Sequence, residues 1–148
     1  MNNRNDIDLP TLTEPRLYII VRSDIAELTP GKLGAQTGHA ASMFARQVRH
    51  SGDTLLNASY KQWEGDRGFG TKIVLSATKD DIDILIDTIS LHQPCPAHYG
   101  IVVDPSYPFR NYFGEMFTAK EMTCAFVFVT PELADEPLRI LRKYPLHK

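Results

Sequence analysis

Lys32, Gln36 and His39 stand at i, i+4 and i+7 in the run Gly31-Lys32-Leu33-Gly34-Ala35-Gln36-Thr37-Gly38-His39-Ala40-Ala41. That spacing projects all three from one face of a helix. A lysine in the first turn of a helix opposes the helix dipole, at a cost of ~0.3–1 kcal/mol when exposed. A helix start beside a strand end is also a natural anion site, and an ammonium there deepens the preference. The glycines between these residues cost about 1 kcal/mol each in a helix interior and are tolerated where backbone must closely approach the sheet or a ligand. Asp104 is the fourth candidate. It directly follows Ile101-Val102-Val103, and an acid at the carboxyl end of a buried strand points into the crevice where open α/β sheets bind ligands. Each residue also has a plainer reading: Lys32 and Gln36 as solvent-facing surface groups, His39 as a hydrogen-bonded half-buried ring, and Asp104 as a turn residue bonding nearby amides.

Other chemistries lack their residues. There is no GxxxxGK[ST] phosphate loop, no GxGxxG, no CxxC, no HExxH and no GxSxG in the chain. Cys95 and Cys124 have no metal-ligand spacing and read as reduced thiols. Hydrolysis by a lysine, an aspartate and an activated water, with no cofactor and no metal, fits what is left.

The elements that must position these groups are legible as apolar runs. Leu17–Val21, Lys72–Leu75, Tyr99–Val103 and Cys124–Val129 have strand length and are apolar on both faces, as strands covered on both sides are. Thr29-Pro30 supplies a cap and a first-turn proline for a helix running to about Arg49. A shorter helix is expected from Asn57 to about Glu64, with Trp63 in the core. Thr78 caps a third helix, with Asp80 and Asp81 in its first turn and a stripe of Ile82, Leu85, Ile86 and Ile89; Gln93-Pro94 ends it. A fourth runs through Pro137–Lys143. The order β-α-α-β-α-β-β-α gives an α/β fold, a three-layer α/β/α sandwich with right-handed crossovers. If the third strand runs parallel to the first, Lys32 and Asp104 meet at one sheet edge. Residues 104–122 read as a long aromatic loop, of a size that is commonly functional.

The chain has 148 residues, 43% of them apolar and 23% charged, enough for one compact domain. Residues 1–15 read as a flexible tail and 16–148 as the domain. No apolar run approaches the ~20 residues of a membrane span, and the polar start has no signal-peptide core, so the cytoplasm is expected. The net charge is −2, yet residues 16–76 carry eight basic and five acidic groups. Lys61, Arg67 and Lys72 in that half could rim a phosphate-facing patch, or be scattered surface cations.

The runs RLYIIVRSDI, GKLGAQTGHAA, YKQWEGD and TKIVLSA resemble the type 2 peptidyl-tRNA hydrolases of archaea and eukaryotes. The matching positions are Val21, Arg22 and Asp24; Gly31, Lys32, Gln36, His39 and Ala40; Lys61, Gln62 and Trp63; and Lys72 before Val74. The resemblance implies a four-stranded mixed sheet flanked by helices, acting without metal or cofactor. It implies cleavage of the ester joining peptide to tRNA, the work of translation and ribosome rescue, by a monomer or homodimer. Lys32 would face the oxyanion or a phosphate, Asp104 would orient water or Lys32, and Gln36 and His39 would position substrate. Lys61, Arg67, Lys72, Arg110 and Thr123 would contact the acceptor end and its phosphates. The chain departs from the family pattern after Asp104, where Pro105-Ser106-Tyr107-Pro108 replaces a threonine-containing run, and the following loop is longer and more aromatic. A weakly catalytic RNA- or protein-binding relative, or an esterase on another aminoacyl or peptidyl conjugate, are the alternatives.

Overall fold

Strand β1 (Arg16–Arg22) sits inside the sheet and is buried on both faces. The computed structural model describes residues 12–26, 28–91, 98–133 and 135–148. The sheet order is β2-β1-β4-β3, with β2 at Lys72–Ala77, β3 at His98–Arg110 and β4 at Met116–Val129. β2 lies parallel to β1, while β4 runs antiparallel to both β1 and β3. β3 therefore runs in the direction of β1, and the two strands end at the same edge of the sheet. The sheet is mixed and four-stranded, as the resemblance implied.

Strand alternation sorts the core into two layers. Leu17, Ile19, Val21, Cys124, Phe126 and Phe128 face α1 (Pro30–Ser51) and α2 (Thr54–Gly65). Ile20, Ala125, Val127 and Val129 face α3 (Lys79–Leu91) and α4 (Asp135–Leu141). Phe44 centres the first layer, its ring 4.5–5.8 Å from those of Tyr60, Trp63, Phe126 and Phe128. Trp63 is buried and its indole N–H donates to the Thr71 carbonyl at 2.7 Å. Gly70, at φ +72°, passes so close that a Cβ would lie 2.5 Å from that indole.

Local chemistry sets the ends. The Thr29 hydroxyl accepts from the Lys32 amide at the start of α1, and Gly52 closes the helix at φ 65°. α2 begins at Thr54, earlier than the expected Asn57, because Asp53 accepts from the amides of Leu55 and Leu56. α4 stops at Leu141, and Pro145 and His147 then pair with β2 and cover its free edge. Arg22 bonds Asp24 at 2.9 Å and Glu121 at 2.6 Å, tying β1 to β4 on the α3 side.

One element departs from expectation. Residues 104–122 are not a loop but the outer half of a β-hairpin, with β3 and β4 continuing to Arg110 and from Met116. Pairings of β-formers such as Phe109↔Phe117 carry the ladder past the sheet edge. Leu12 packs against the core and Pro15 is buried. Residues 1–11, Gln93-Pro94 and Cys95 lie outside the described residues.

Candidate active site

The buried stripe of α1 is Gln36, Ala40, Phe44 and Val48, each four residues from the next. Lys32 lies one turn earlier on the same stripe, half-buried where the helix reaches the sheet edge. Gln36 is thus a polar residue in a core position, 3% exposed, and a buried carboxamide needs partners for both of its ends. It has them. Its Nε2 donates to Asp104 Oδ2 at 2.7 Å, and its Oε1 accepts from the Thr123 hydroxyl at 2.6 Å. A carboxylate only accepts, so Asp104 fixes which end of the amide faces it.

Two irregularities in the β3–β4 ladder make this possible. Val102 pairs with Cys124 and Val103 with Met122, leaving Thr123 as an extra residue. The bulge re-aims its side chain, so that Thr123 and Cys124 both bond Gln36. On the other strand Asp104 pairs with Glu121 and Tyr107 with Ala119, leaving an extra residue within Pro105-Ser106. There the Ser106 amide turns back to donate to Asp104 Oδ1 at 2.9 Å. Burial works against charge on Asp104, but the Ser106 amide, the Gln36 carboxamide and the nearby His39 outweigh it and hold the carboxyl below its usual range. Asp104 is ionised at neutral pH. Burial pushes the Cys124 thiol up to about 12, leaving it a protonated core group.

Lys32 is held from the same strand. Its Nζ donates to the Pro108 carbonyl at 3.2 Å and lies 5.4 Å from the centre of the Tyr107 ring. Tyr107 is fully buried, and its hydroxyl donates to the Ala26 carbonyl at 3.4 Å. An ammonium and an ionised carboxylate are therefore anchored to one helix a turn apart and to one strand four residues apart. His39 is exposed on α1, outside the buried stripe, and has no hydrogen-bond partner among the described residues. The site contains no cluster of His, Cys, Asp or Glu able to hold a metal among the described residues.

The remaining candidates fall elsewhere. Thr123, expected to touch substrate, is 1% exposed and committed to Gln36. Gln36 likewise faces Asp104 rather than solvent. Lys72 pairs with Leu17 at the start of β1, some five residues or roughly 16 Å from the edge that carries Lys32. Its Nζ donates to the carbonyls of Phe69 and Gly70 over the Trp63 ring. Lys61 and Arg67 are exposed near that end, and Arg110 stands at the far end of the hairpin. Tyr107 and Pro108 were noted in the sequence only as part of the aromatic segment after Asp104, with no role at Lys32.

The family model described as peptidyl-tRNA hydrolase PTH2 matches residues 16–93, more than half of the chain. The chain belongs to that family. The matched segment runs from β1 through α3, so it holds Lys32, Gln36 and His39, while Asp104 and Thr123 lie beyond it. No curated protein matches the chain. Gly31, Gly34 and Gly38 face empty space, where a Cβ would meet nothing within 4 Å, so packing on the sheet does not explain them.

Proposed function

We propose that this PTH2-family protein hydrolyses the ester between peptide and tRNA in peptidyl-tRNA, in the cytoplasm, releasing free tRNA and peptide. The observation that carries the reading is the joint anchoring of Lys32 and Asp104 at one sheet edge, through Pro108 and Gln36.

The chemistry follows from those two charges. A water oxygen attacks the ester carbonyl carbon and the carbonyl oxygen becomes an oxyanion. The carbon–oxygen bond to the ribose then breaks, and the ribose oxygen takes a proton as the peptide leaves as a carboxylic acid. Negative charge develops twice, on the oxyanion and on the departing ribose oxygen. An ammonium already held in place stabilises such charge without reorganising, commonly the largest catalytic contribution. Lys32 has that role. Asp104, with its lowered pKa, is a poor proton acceptor but a good orienting group for the attacking water. His39, exposed in the same charge cluster, is the group available to take the water's proton. Gln36 and Thr123 position Asp104. The exposed glycines of α1 let the substrate backbone approach the helix.

Purified Lys32→Ala protein tests this. Turnover of peptidyl-tRNA is expected to fall about 100-fold or more, as when a preorganised oxyanion partner is removed, with the unfolding midpoint near wild type because Lys32 lies at the rim. Wild-type turnover by that variant would end the proposal. Wild-type protein that binds peptidyl-tRNA without releasing tRNA would favour the non-catalytic binding reading.

A further inference from the structure

Past Asp104 and Glu121 the hairpin has left the sheet. β1 pairs with β4 only as far as Cys124, so the outer segment is a two-stranded ribbon flanked by no other strand among the described residues. Such a ribbon usually hides or charges its surface, yet this one exposes rings. Tyr112 is 98% exposed and Phe113 81%, with Met116 and Phe117 about half exposed. The tip is nonetheless well bonded. Asn111 Oδ1 accepts from the amides of Phe113 and Glu115, Gly114 turns the chain at φ 79°, and the Arg110 guanidinium donates to the Gly114 carbonyl. Large flat side chains are thus presented outward by an ordered turn.

We propose that this arm is a stacking platform for the unpaired nucleobases at the 3′ end of the tRNA, with Tyr112 and Phe113 as the ring partners. The proposal rests on the reading of peptidyl-tRNA as substrate. Three features select this occupant. The exposed ring and Met116 area comes to roughly 400–700 Å², taking 150–250 Å² per side chain, below the ~800 Å² per partner of a stable protein interface. A base needs less: every base has a π face, and stacking on an aromatic ring is tolerant of sequence. The arm is also positively charged within a chain of net charge −2. Between residues 105 and 120 it carries Arg110 and Lys120 against Glu115 alone, which suits a phosphate backbone. Finally, β3 carries the tip roughly 20 Å along the strand from Asp104 to Arg110, and Tyr112 and Phe113 follow eight and nine residues beyond Asp104. That is within reach of the last few nucleotides of a strand whose terminal ester sits at Lys32 and Asp104.

The test uses full-length protein and deacylated tRNA, either intact or trimmed of its unpaired 3′ nucleotides. Tyr112→Leu/Phe113→Leu is expected to weaken binding of intact tRNA about 10- to 100-fold and to leave trimmed tRNA unchanged. Tyr112→Trp/Phe113→Trp, which keeps flat rings, is expected to bind as wild type. With peptidyl-tRNA the leucine pair should raise KM and leave kcat near wild type. Equal weakening toward both tRNAs, or wild-type affinity in the leucine pair, overturns the proposal. So does loss of self-association in that pair with tRNA affinity intact, which makes a second copy the occupant. Arm-dependent binding by a protein that cleaves nothing would uphold the platform while ending the catalytic reading.

Discussion

Asp104 shows how three weak contacts set one charge state. Burial alone would raise its pKa, but the Ser106 amide and the Gln36 carboxamide favour the anion, with help from His39. Its folded pKa lies below its unfolded one, so it contributes stability above the unfolded value of about 3.9 and loses it as pH falls through the folded value. Asp104→Asn is therefore expected to be less stable than wild type in urea at pH 7, with the gap closing as pH falls below the unfolded value and through the lowered folded one. Turnover by the wild type should show no acid limb from this group between pH 5 and 8. Asp24, held low by its hydrogen bond to Arg22, follows the same sign and belongs to the background of both proteins. At this scale the sequence supplied the actors and not the partnerships. Gln36 read either as a substrate-positioning group or as a surface amide, because a polar residue at helical spacing with Lys32 and His39 says nothing of which face is buried. Only Phe44 and Val48, pressed against β4, turn that face inward.

At the level of elements, α1 carries an unusual load. Its cap, its first-turn proline and its terminal glycine all follow local rules, and its limits were legible from Thr29-Pro30 and Gly52. Its interior glycines break those rules without any packing to excuse them. Gly38→Ala should raise stability by roughly 0.5–1 kcal/mol in urea unfolding, since alanine is the better helix former. The same variant should raise KM for peptidyl-tRNA several-fold, because the added methyl stands where substrate backbone approaches. An unchanged KM would remove the glycines from the site. The hairpin was less legible. Prolines and glycine between Asp104 and Thr123 look like loop chemistry, whereas Pro105 sits at a bulge and Pro108 lies in a ribbon that is open on its outer edges. The two bulges are register effects between strands. No periodicity within one strand reveals them.

Across the whole molecule, the cations proposed to face tRNA fall into separate groups. Lys32 stands at one sheet edge, Lys61, Arg67 and Lys72 near the other, and Arg110 and Lys120 on the arm. On the proposed reading, phosphates of the bound tRNA contact more than one of these groups. Binding of tRNA should weaken steeply between 50 and 200 mM salt, with log Kd close to linear in log salt. Lys61→Ala and Arg67→Ala should each lower that slope by about one and leave kcat unchanged; a flat salt response would rule out phosphate contacts. Among the described residues no helix is long and apolar enough to cross a membrane. What the sequence determined alone is what neighbours along the chain govern: the four apolar runs at the centres of the strands, the caps of α1 and α3, which residues can ionise, and the family motif in residues 16–93. What tertiary structure decided is which of those groups meet. β4 running antiparallel between β1 and β3 brings Asp104 to the edge where α1 begins, and a bulge swings Thr123 beneath Gln36. Those distances depend on strand order and register, which arise from contacts between residues some 70 to 90 positions apart.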